Sequence, residues 1–355
     1  MSVSNIKKLL QSIVVHGASD LHLISRSEPQ LRLSGVLKPI NMPKLTGDMI
    51  EEMCYSLITE KQKKEFEEEL ELDFAIELEG IGRFRANYYV TMGDMAAAFR
   101  VIPIEIPSLD QLNAPAIYKE LIKREKGLIL VTGPTGSGKS TTLAALLNEI
   151  NITESKHIIT VEDPVEFVHQ NKKCVFSHRG VGDDTKSFSN ALKGSMREDP
   201  DIILIGEMRN KETIEAGLTA AETGHLVFGT LHTSSAPGTI NRILDVFSGE
   251  EQGQIRAMIS GSLVAVIAQM LLPKKGGGRV AVPEILITNN AISNLIREDK
   301  VHQIYSSMQL GQGGSGMQTQ TQVMVDLIKA GTIDEETALQ YANKPSELKN
   351  VMARR

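Results

Sequence analysis

The sequence predicts an α/β protein in which a smaller α+β domain precedes a larger domain built on a parallel sheet. Four short apolar runs alternate with helical or other connecting stretches in the second half, at 128–132, 157–161, 202–205 and 226–231. Continuous apolar runs of this kind are typical of parallel strands that are covered on both faces. A glycine-rich segment follows the first run, where a strand would turn into a helix.

The first hundred residues have a different pattern of short elements. Apolar residues from Ile6 to Val14 fall on one face of a predicted helix, and Gly17 lies where that helix would stop. Further helices are predicted at 47–58 and 60–70, and strands at 21–24, 30–33, 72–79, 83–91 and 96–102, with Ser34 and Gly35 as turn residues. The charged run in the second of these helices predicts a solvated face.

These patterns divide the chain into four segments. The α+β domain covers 1–102, a proline-punctuated linker covers 103–114, and the core with the predicted parallel sheet covers 115–288. The remainder, 289–355, is predicted to be helical, with helices at 289–297, 300–310, 319–330 and 334–342 and a glycine-rich break at 311–316.

Composition excludes several classes of protein. The 44 acidic and 38 basic residues give a net charge of -6, so overall charge does not favour nucleic-acid binding. Two cysteines far apart in sequence exclude a disulfide scaffold and a cysteine-only zinc site. The longest apolar stretch, 263–272, is about half of the ~20 residues that a membrane span needs, and the N-terminus lacks a signal-peptide core. We therefore expect a soluble cytoplasmic protein.

A phosphate-binding loop is predicted at 133–141. Its sequence, GPTGSGKST, matches G-x-x-x-x-G-K-[ST] and lies between a predicted strand and a predicted helix. The glycines let backbone N–H groups turn inward around phosphate oxygens, the lysine carries a mobile positive charge, and the serine hydroxyl suits Mg²⁺. The expected ligands of ATP and Mg²⁺ in this loop are Gly133, Thr135, Gly136, Ser137, Gly138, Lys139, Ser140 and Thr141.

Strand geometry selects the acidic and histidine candidates. Ligands of parallel sheets bind beyond the carboxyl ends of the strands, and Glu162, Glu207 and His232 each follow an apolar run. Asp201 precedes its run and lies roughly 20 Å from Glu207 if the segment is extended, so we reject it as the magnesium ligand. His225 also precedes its run and is the weaker of the two histidines.

The roles of these side chains follow from the chemistry of hydrolysis. A carboxylate must orient a water molecule towards the γ-phosphate and accept its proton, and Glu207 is our choice. Glu162 is expected to hold the water or magnesium, so Ser140, Glu162 and Glu207 form the predicted metal site. His232 is expected to sense the γ-phosphate through a hydrogen bond.

Arginine is needed to neutralise the charge that develops during phosphoryl transfer. Arg197 and Arg209 are candidates near the acidic segments, and Arg83, Arg85 and Arg100 are candidates in the first domain. For each of them an ordinary surface or domain-interface ion pair is the alternative interpretation.

Across nearly its whole length the chain resembles the secretion ATPases of type IV pilus and type II secretion systems. The phosphate loop is similar to the family's Walker A, 160–167 to its Asp box, 206–210 to its atypical Walker B and 221–233 to its His box. The resemblance implies a PAS-like first domain, a RecA-like second domain and a homohexameric ring. It also implies catalytic roles for Glu162, Glu207, His225 and His232.

Two segments resemble the pilus-retraction branch of that family. AISNLIRE at 291–298 is similar to a retraction motif that has arginine where this chain has Ser293, and GMQT follows at 316–319. The resemblance implies a motor at the cytoplasmic face of the inner membrane that contacts a membrane platform protein, acts indirectly on pilin and reaches the membrane only through that partner. The apolar stripe of 289–297 leaves two interpretations open, packing against the core or docking to the pilus machinery.

Other functions have less support. A paralogue of the retraction ATPase is hard to distinguish from it by sequence. Secretion and pilus-assembly relatives typically carry a four-cysteine zinc element, and the two cysteines of this chain count against both. A RecA-like nucleic-acid translocase is disfavoured because only 4% of the residues are aromatic and the chain is acidic. A small-molecule kinase would leave the His box without a role, and the presence of Glu207 argues against a regulator without turnover.

Overall fold

The computed structural model describes residues 3–33, 35–311 and 314–353, with side chains from residue 6 onward. Ser34 of the predicted turn, and Gln312 and Gly313 of the predicted break, lie outside the described residues. The chain forms two compact units. One comprises the chain up to Glu105 together with Asp163–Val168, and the other comprises Ile106–Glu162 and the chain from His169. The four predicted segment boundaries stay predictions.

The N-terminal unit is an antiparallel sheet with three helices. The sheet order is β3-β2-β1-β6-β5-β4. Its elements are α1 (Val3–Val15), β1 (Asp20–Leu23), β2 (Gln30–Leu33), β3 (Val36–Pro39), α2 (Gly47–Tyr55), α3 (Glu60–Glu69), β4 (Glu71–Leu78), β5 (Gly82–Thr91) and β6 (Asp94–Ile102). The sequence predicted these elements to within a few residues except β3, whose side chains are all exposed.

Strand alternation gives this sheet one apolar and one polar face. Phe84, Tyr88 and Phe99 are buried in the same core as residues of α1 and α2. The opposite face carries a row of directly paired charged residues, in which Asp20 lies between Arg32 and Arg100. In α3 the buried residue is Phe66, in agreement with a solvated face for the charged run.

The C-terminal unit contains a seven-stranded sheet and the remaining helices. Its elements are α4 (Ile117–Leu121), β7 (Gly127–Thr132), α5 (Lys139–Thr153), β8 (His157–Glu162), β9 (Val175–Gly180), α6 (Phe188–Ser195), β10 (Ile202–Ile205), α7 (Lys211–Glu222), β11 (Leu226–Leu231), α8 (Ala236–Leu244), α9 (Gly249–Ser262), β12 (Leu263–Pro273), β13 (Arg279–Ile287), α10 (Asn290–Arg297), a 3₁₀ turn (Val301–Gln303), α11 (Ile304–Leu310), α12 (Gln320–Lys329), α13 (Glu335–Tyr341) and α14 (Pro345–Ala353).

The sheet order is β13-β12-β7-β11-β10-β8-β9, and every pairing except β12 with β13 is parallel. The predicted parallel sheet is therefore confirmed, with four predicted strands at its centre. Strands β9, β12 and β13 were not predicted. Residues 263–272, which the sequence showed to be too short for a membrane span, form most of β12. No helix among the described residues is long and apolar enough to cross a membrane.

The predicted helical C-terminal segment is present. In α10, Ile292 and Ile296 are fully buried in the core that also contains Leu128 and Leu130 of β7. Ser293 donates a hydrogen bond to the carbonyl oxygen of Ser260 at 2.9 Å. The apolar stripe of this helix therefore packs against the sheet domain, which is the first of the two interpretations above.

The chain that leads into β9, residues 170–174, is bonded to Asn151, a fully buried residue of α5. Its amide donates to the carbonyl oxygen of Gln170 at 2.8 Å and accepts from the N–H groups of Lys172 and Cys174 at 3.1 and 3.2 Å. We predict that Asn151→Leu lowers the free energy of unfolding by about 2–3 kcal/mol, because buried backbone groups lose their partners. Urea unfolding would measure the change.

Asn148 provides the matched control. It lies one turn earlier on α5, and its side chain accepts only an exposed bond from the Lys172 ammonium, at 3.1 Å. Asn148→Ala should change the free energy of unfolding by less than about 0.5 kcal/mol. Equal effects of the two substitutions would contradict this account of the loop.

Candidate functional site

The predicted phosphate loop connects β7 to α5. Gly136 and Gly138 have φ values of 77° and 87°, a left-handed conformation that favours glycine, and α5 begins directly after Gly138. The Lys139 ammonium donates to the carbonyl oxygens of Gly133 and Pro134, at 2.9 and 3.2 Å. The positive charge thus lies over the loop, within reach of a phosphate that could replace these carbonyl partners.

Solvent access to the loop differs along its length. Thr135 and Gly136 are exposed, Ser140 and Thr141 at the start of α5 are half-buried, and Ser137 is 3% exposed. In the described part of the chain the Ser137 hydroxyl has no hydrogen-bond partner. Free N–H groups at a helix start attract anions, so the loop suits a phosphate group.

Three predicted side chains lie at the same edge of the sheet. Strand pairing places Val161 opposite Ile205 and Leu231 opposite Thr132. Glu162 is the last residue of β8, and Glu207 and His232 come just after β10 and β11, so all three lie at neighbouring strand ends. The Gly206 N–H donates to the carbonyl oxygen of Val161 at 2.8 Å, and a Cβ at position 206 would lie 3.1 Å from the Glu162 Cα. The glycine therefore permits the close approach of the two acidic segments.

Glu207 is the centre of a small charged cluster. Its carboxylate forms an ion pair with Arg209 and lies 3.2 Å from Nε2 of His232, and its side chain is only 20% exposed. Burial alone would raise the pKa of Glu207, but Arg209 and then His232 outweigh burial and lower it. Glu207 is therefore a carboxylate at neutral pH, as a proton acceptor must be.

His225 and Asp201 lie at the opposite edge of the sheet. The carbonyl oxygen of His225 accepts from the N–H of Gly127, at the start of β7, and its ring bonds the carbonyl oxygen of Ala220 at 3.0 Å. At about 3.3 Å per residue, His225 is roughly 20 Å from His232 along β11. Asp201 accepts from the N–H of His157 at 2.8 Å. The two residues are thus separate from the phosphate loop of their own chain.

The five candidate arginines occupy different environments. Arg83 donates to the carbonyl oxygen of Val165 at 2.9 Å, Arg85 pairs with Asp73, and Arg100 pairs with Asp20 at 2.8 Å. These three partners belong to the N-terminal unit. Arg197 is exposed beyond α6. Arg209 forms an ion pair with another candidate residue, Glu207.

Two buried polar residues beside this edge were not predicted from the sequence. Gln269 of β12 donates to the carbonyl oxygen of Ser137 at 2.7 Å. Glu284 of β13, which is 2% exposed, accepts from the N–H of Ala236 at 2.8 Å, at the start of α8. The only sequence signal was that each interrupts an apolar run.

The fold and the site together define a class of nucleotide-dependent secretion ATPases. The family model described as "Type II/IV secretion system protein" matches residues 2–330. The chain belongs to this family, which confirms the resemblance seen in its motifs.

Particular relatives fall in the pilus-retraction branch. The Pseudomonas aeruginosa protein named "Type IV pilus retractation ATPase PilT" is 50% identical over 341 residues, which cover 96% of this chain and 99% of that protein. A Neisseria gonorrhoeae protein named "Twitching motility protein" is 47% identical over 97% of this chain and 92% of its own length. The crystal structure of the pilus retraction motor PilT with bound ADP is similar with a TM-score of 0.89, at 48% identity over 97% of this chain and 99% of that one.

The ion pair with Arg209 predicts a change in pH dependence. Arg209→Ala should raise the pKa of Glu207, because the guanidinium favours the charged carboxylate. The acid limb of the pH profile of kcat/KM for ATP should then move to higher pH, whatever happens to the maximal rate. Steady-state ATPase assays across a pH series would measure it.

Arg242→Ala is the control for loss of a positive charge, since Arg242 is exposed on α8. Its acid limb should coincide with that of the unchanged protein. An acid limb that does not move in Arg209→Ala would show that Glu207 does not set the lower limit of activity.

Proposed function

We propose that this chain is an ATPase motor that hydrolyses ATP, with Mg²⁺, to power retraction of type IV pili. The observation that carries the proposal is the common edge at which the phosphate loop, Glu162, Glu207 and His232 meet. Family membership supports ATPase activity. The similarity to the pilus-retraction ATPase over almost the whole of both chains supports the retraction role.

ATP would bind with its phosphates at the start of α5. Lys139 would exchange its two carbonyl partners for phosphate oxygens, and the helix N-terminus would add N–H donors. The half-buried Ser140 hydroxyl and the carboxylates of Glu162 and Glu207 supply the hard oxygen ligands that suit magnesium. When bound, Mg²⁺ would neutralise phosphate charge.

Glu207 would accept the proton of the attacking water. Its lowered pKa keeps it ionised, and contact with His232 links it to the side chain proposed to sense the γ-phosphate. Arg209 would stabilise either Glu207 or the transferring phosphate. We further propose that Arg83, Arg85, Arg100 or Arg197 completes the charge balance, in the same chain or in a neighbouring copy.

The proposed assembly is a homohexamer at the cytoplasmic face of the inner membrane. Contact with a membrane platform protein would couple its domain motions to removal of pilin from the pilus base. In such a ring, His225 and the arginines distant from Glu207 could serve a neighbouring subunit's site. This would reconcile the role inferred for His225 with its place at the other edge of its own sheet.

Assembly can be tested by measuring ATP hydrolysis per subunit, with Mg²⁺, over a series of protein concentrations. We expect specific activity to rise steeply and then level, because sites completed between subunits need a ring. Measurement of the molecular mass at each concentration distinguishes a pre-assembled ring from active single chains. Turnover by single chains would contradict the shared-site motor, and absence of turnover at every concentration would contradict an autonomous ATPase.

A matched pair of substitutions on either side of β10 tests the assignment of the base. Glu207→Gln should retain ATP binding and lose at least about 99% of turnover, because an amide cannot accept the proton. Asp201→Asn makes the same chemical change at the other end of the strand and keeps an oxygen that can accept from His157. It should retain most activity.

The same pair tests the biological role in cells. Cells whose sole copy carries Glu207→Gln should display pili but fail to move by twitching, whereas Asp201→Asn cells should move. Normal movement by Glu207→Gln cells would contradict the proposed motor, and loss of turnover in Asp201→Asn equal to that in Glu207→Gln would contradict the assignment from strand ends.

A further inference from the structure

Gln269 is a buried polar residue in the middle of an apolar strand. It lies on β12, next to β7, where Ala268 pairs with Thr132 immediately before the phosphate loop. Its exposed fraction is 4%, and its neighbours Ile267 and Ala268 are also buried. A buried amide needs partners for both its oxygen and its nitrogen, because an unpaired polar group destabilises a fold.

The two partners of this amide both belong to the nucleotide-binding segment. Nε2 of Gln269 donates to the carbonyl oxygen of Ser137 at 2.7 Å, and Oε1 accepts from the hydroxyl of Thr142 at 2.9 Å. A carbonyl oxygen can only accept, so the nitrogen must face Ser137. The orientation of the Gln269 amide is therefore defined by the loop on one side and by the first turn of α5 on the other.

The bond to Ser137 fixes the direction of a loop peptide. In a trans peptide the C=O and the following N–H point in opposite directions. With the Ser137 carbonyl held towards β12, the N–H of Gly138 points away from β12. Inward-facing N–H groups are what a phosphate loop uses to bind anions.

Close packing of two loop glycines supports the same arrangement. A Cβ at Gly133 would overlap the backbone carbonyl oxygen of Gln269, and a Cβ at Gly138 would lie 3.1 Å from Nε2 of Gln269. The loop is therefore packed directly on this residue at both its first glycine and its last.

We infer that Gln269 is a positioning residue for nucleotide binding, which holds the 137–138 peptide with its N–H available to the phosphates. It acts through the loop and not on the substrate. This inference rests on the proposed ATPase function. Leucine at this position would leave the Ser137 carbonyl and the Thr142 hydroxyl without their partner, and glutamate would oppose the carbonyl with a negative charge.

The test compares Gln269→Leu, Gln269→Glu and Thr142→Val in the full chain. In Gln269→Leu the affinity for fluorescently labelled ADP should fall about tenfold and the KM for ATP should rise about tenfold, a factor that corresponds to ~1.4 kcal/mol. Both changes should be larger in Gln269→Glu. They should be smaller in Thr142→Val, which removes the second bond only, and kcat should change less than KM in all three variants.

Gln318→Leu is the matched control, because the Gln318 amide also donates to a backbone carbonyl, that of Pro283, at 3.0 Å. It should leave ADP affinity unchanged. Melting temperatures without nucleotide show whether each variant is folded. If Gln269→Leu does not fold, Gln269→Glu and Thr142→Val decide the question.

The outcomes separate this inference from the proposed function. If the unchanged protein binds ADP and folded Gln269 variants bind it equally well, the positioning role is wrong and the ATPase proposal stands. If Gln318→Leu loses as much affinity as Gln269→Leu, the effect is not specific to the loop and the inference is also wrong. If the unchanged protein binds neither ADP nor ATP, the proposed ATPase function is wrong, and the inference that rests on it is wrong as well.

Discussion

The candidate site depends on the parallel register of four strands. Hydrogen bonds continue the ladder beyond the strand ends, from the N–H of Gly206 to Val161, from Met208 to Thr230 and from Gly133 to Leu231. Each chain segment therefore leaves the sheet beside its neighbour, and the residues that come next share one edge. A change of register in any one of these strands would separate groups that are far apart in sequence.

At the same edge, the charge of the Glu207 carboxylate is balanced by its neighbours. Glu207 is mostly buried, which by itself disfavours the carboxylate, and the nearby Arg209 and His232 reverse that effect. The Thr230 hydroxyl donates to the carbonyl oxygen of Gly206 and so holds the backbone just before Glu207. The carboxylate proposed as the proton acceptor is thus kept ionised and fixed in position, as general-base chemistry requires.

Sequence alone located this edge because strand ends follow from local apolar runs. The predicted phosphate loop, Glu162, Glu207 and His232 could be placed at one edge without knowledge of strand order, since any parallel order brings carboxyl ends to the same side. Sequence alone could not find the bond of Gln269 to Ser137, because those residues are 132 positions apart and meet only through the pairing of β12 with β7. The ion pairs of Arg85 with Asp73 and of Arg100 with Asp20 likewise join residues that are distant in sequence.

The helical C-terminal segment is bonded directly to the chain that carries His232. Asn343 donates to the carbonyl oxygen of Ser234 at 2.8 Å, and its own N–H is held by Gln320 at 2.8 Å. Glu284 accepts from the N–H of Ala236, at the start of α8 and two residues after Ser234. Burial raises the pKa of Glu284, although the bond to this N–H favours the charged form. A displacement of the chain around Asn343 relative to this loop would therefore break the bond to Ser234. The loop that follows β11 is thus bonded both to β13, through Glu284, and to the chain between α13 and α14, through Asn343.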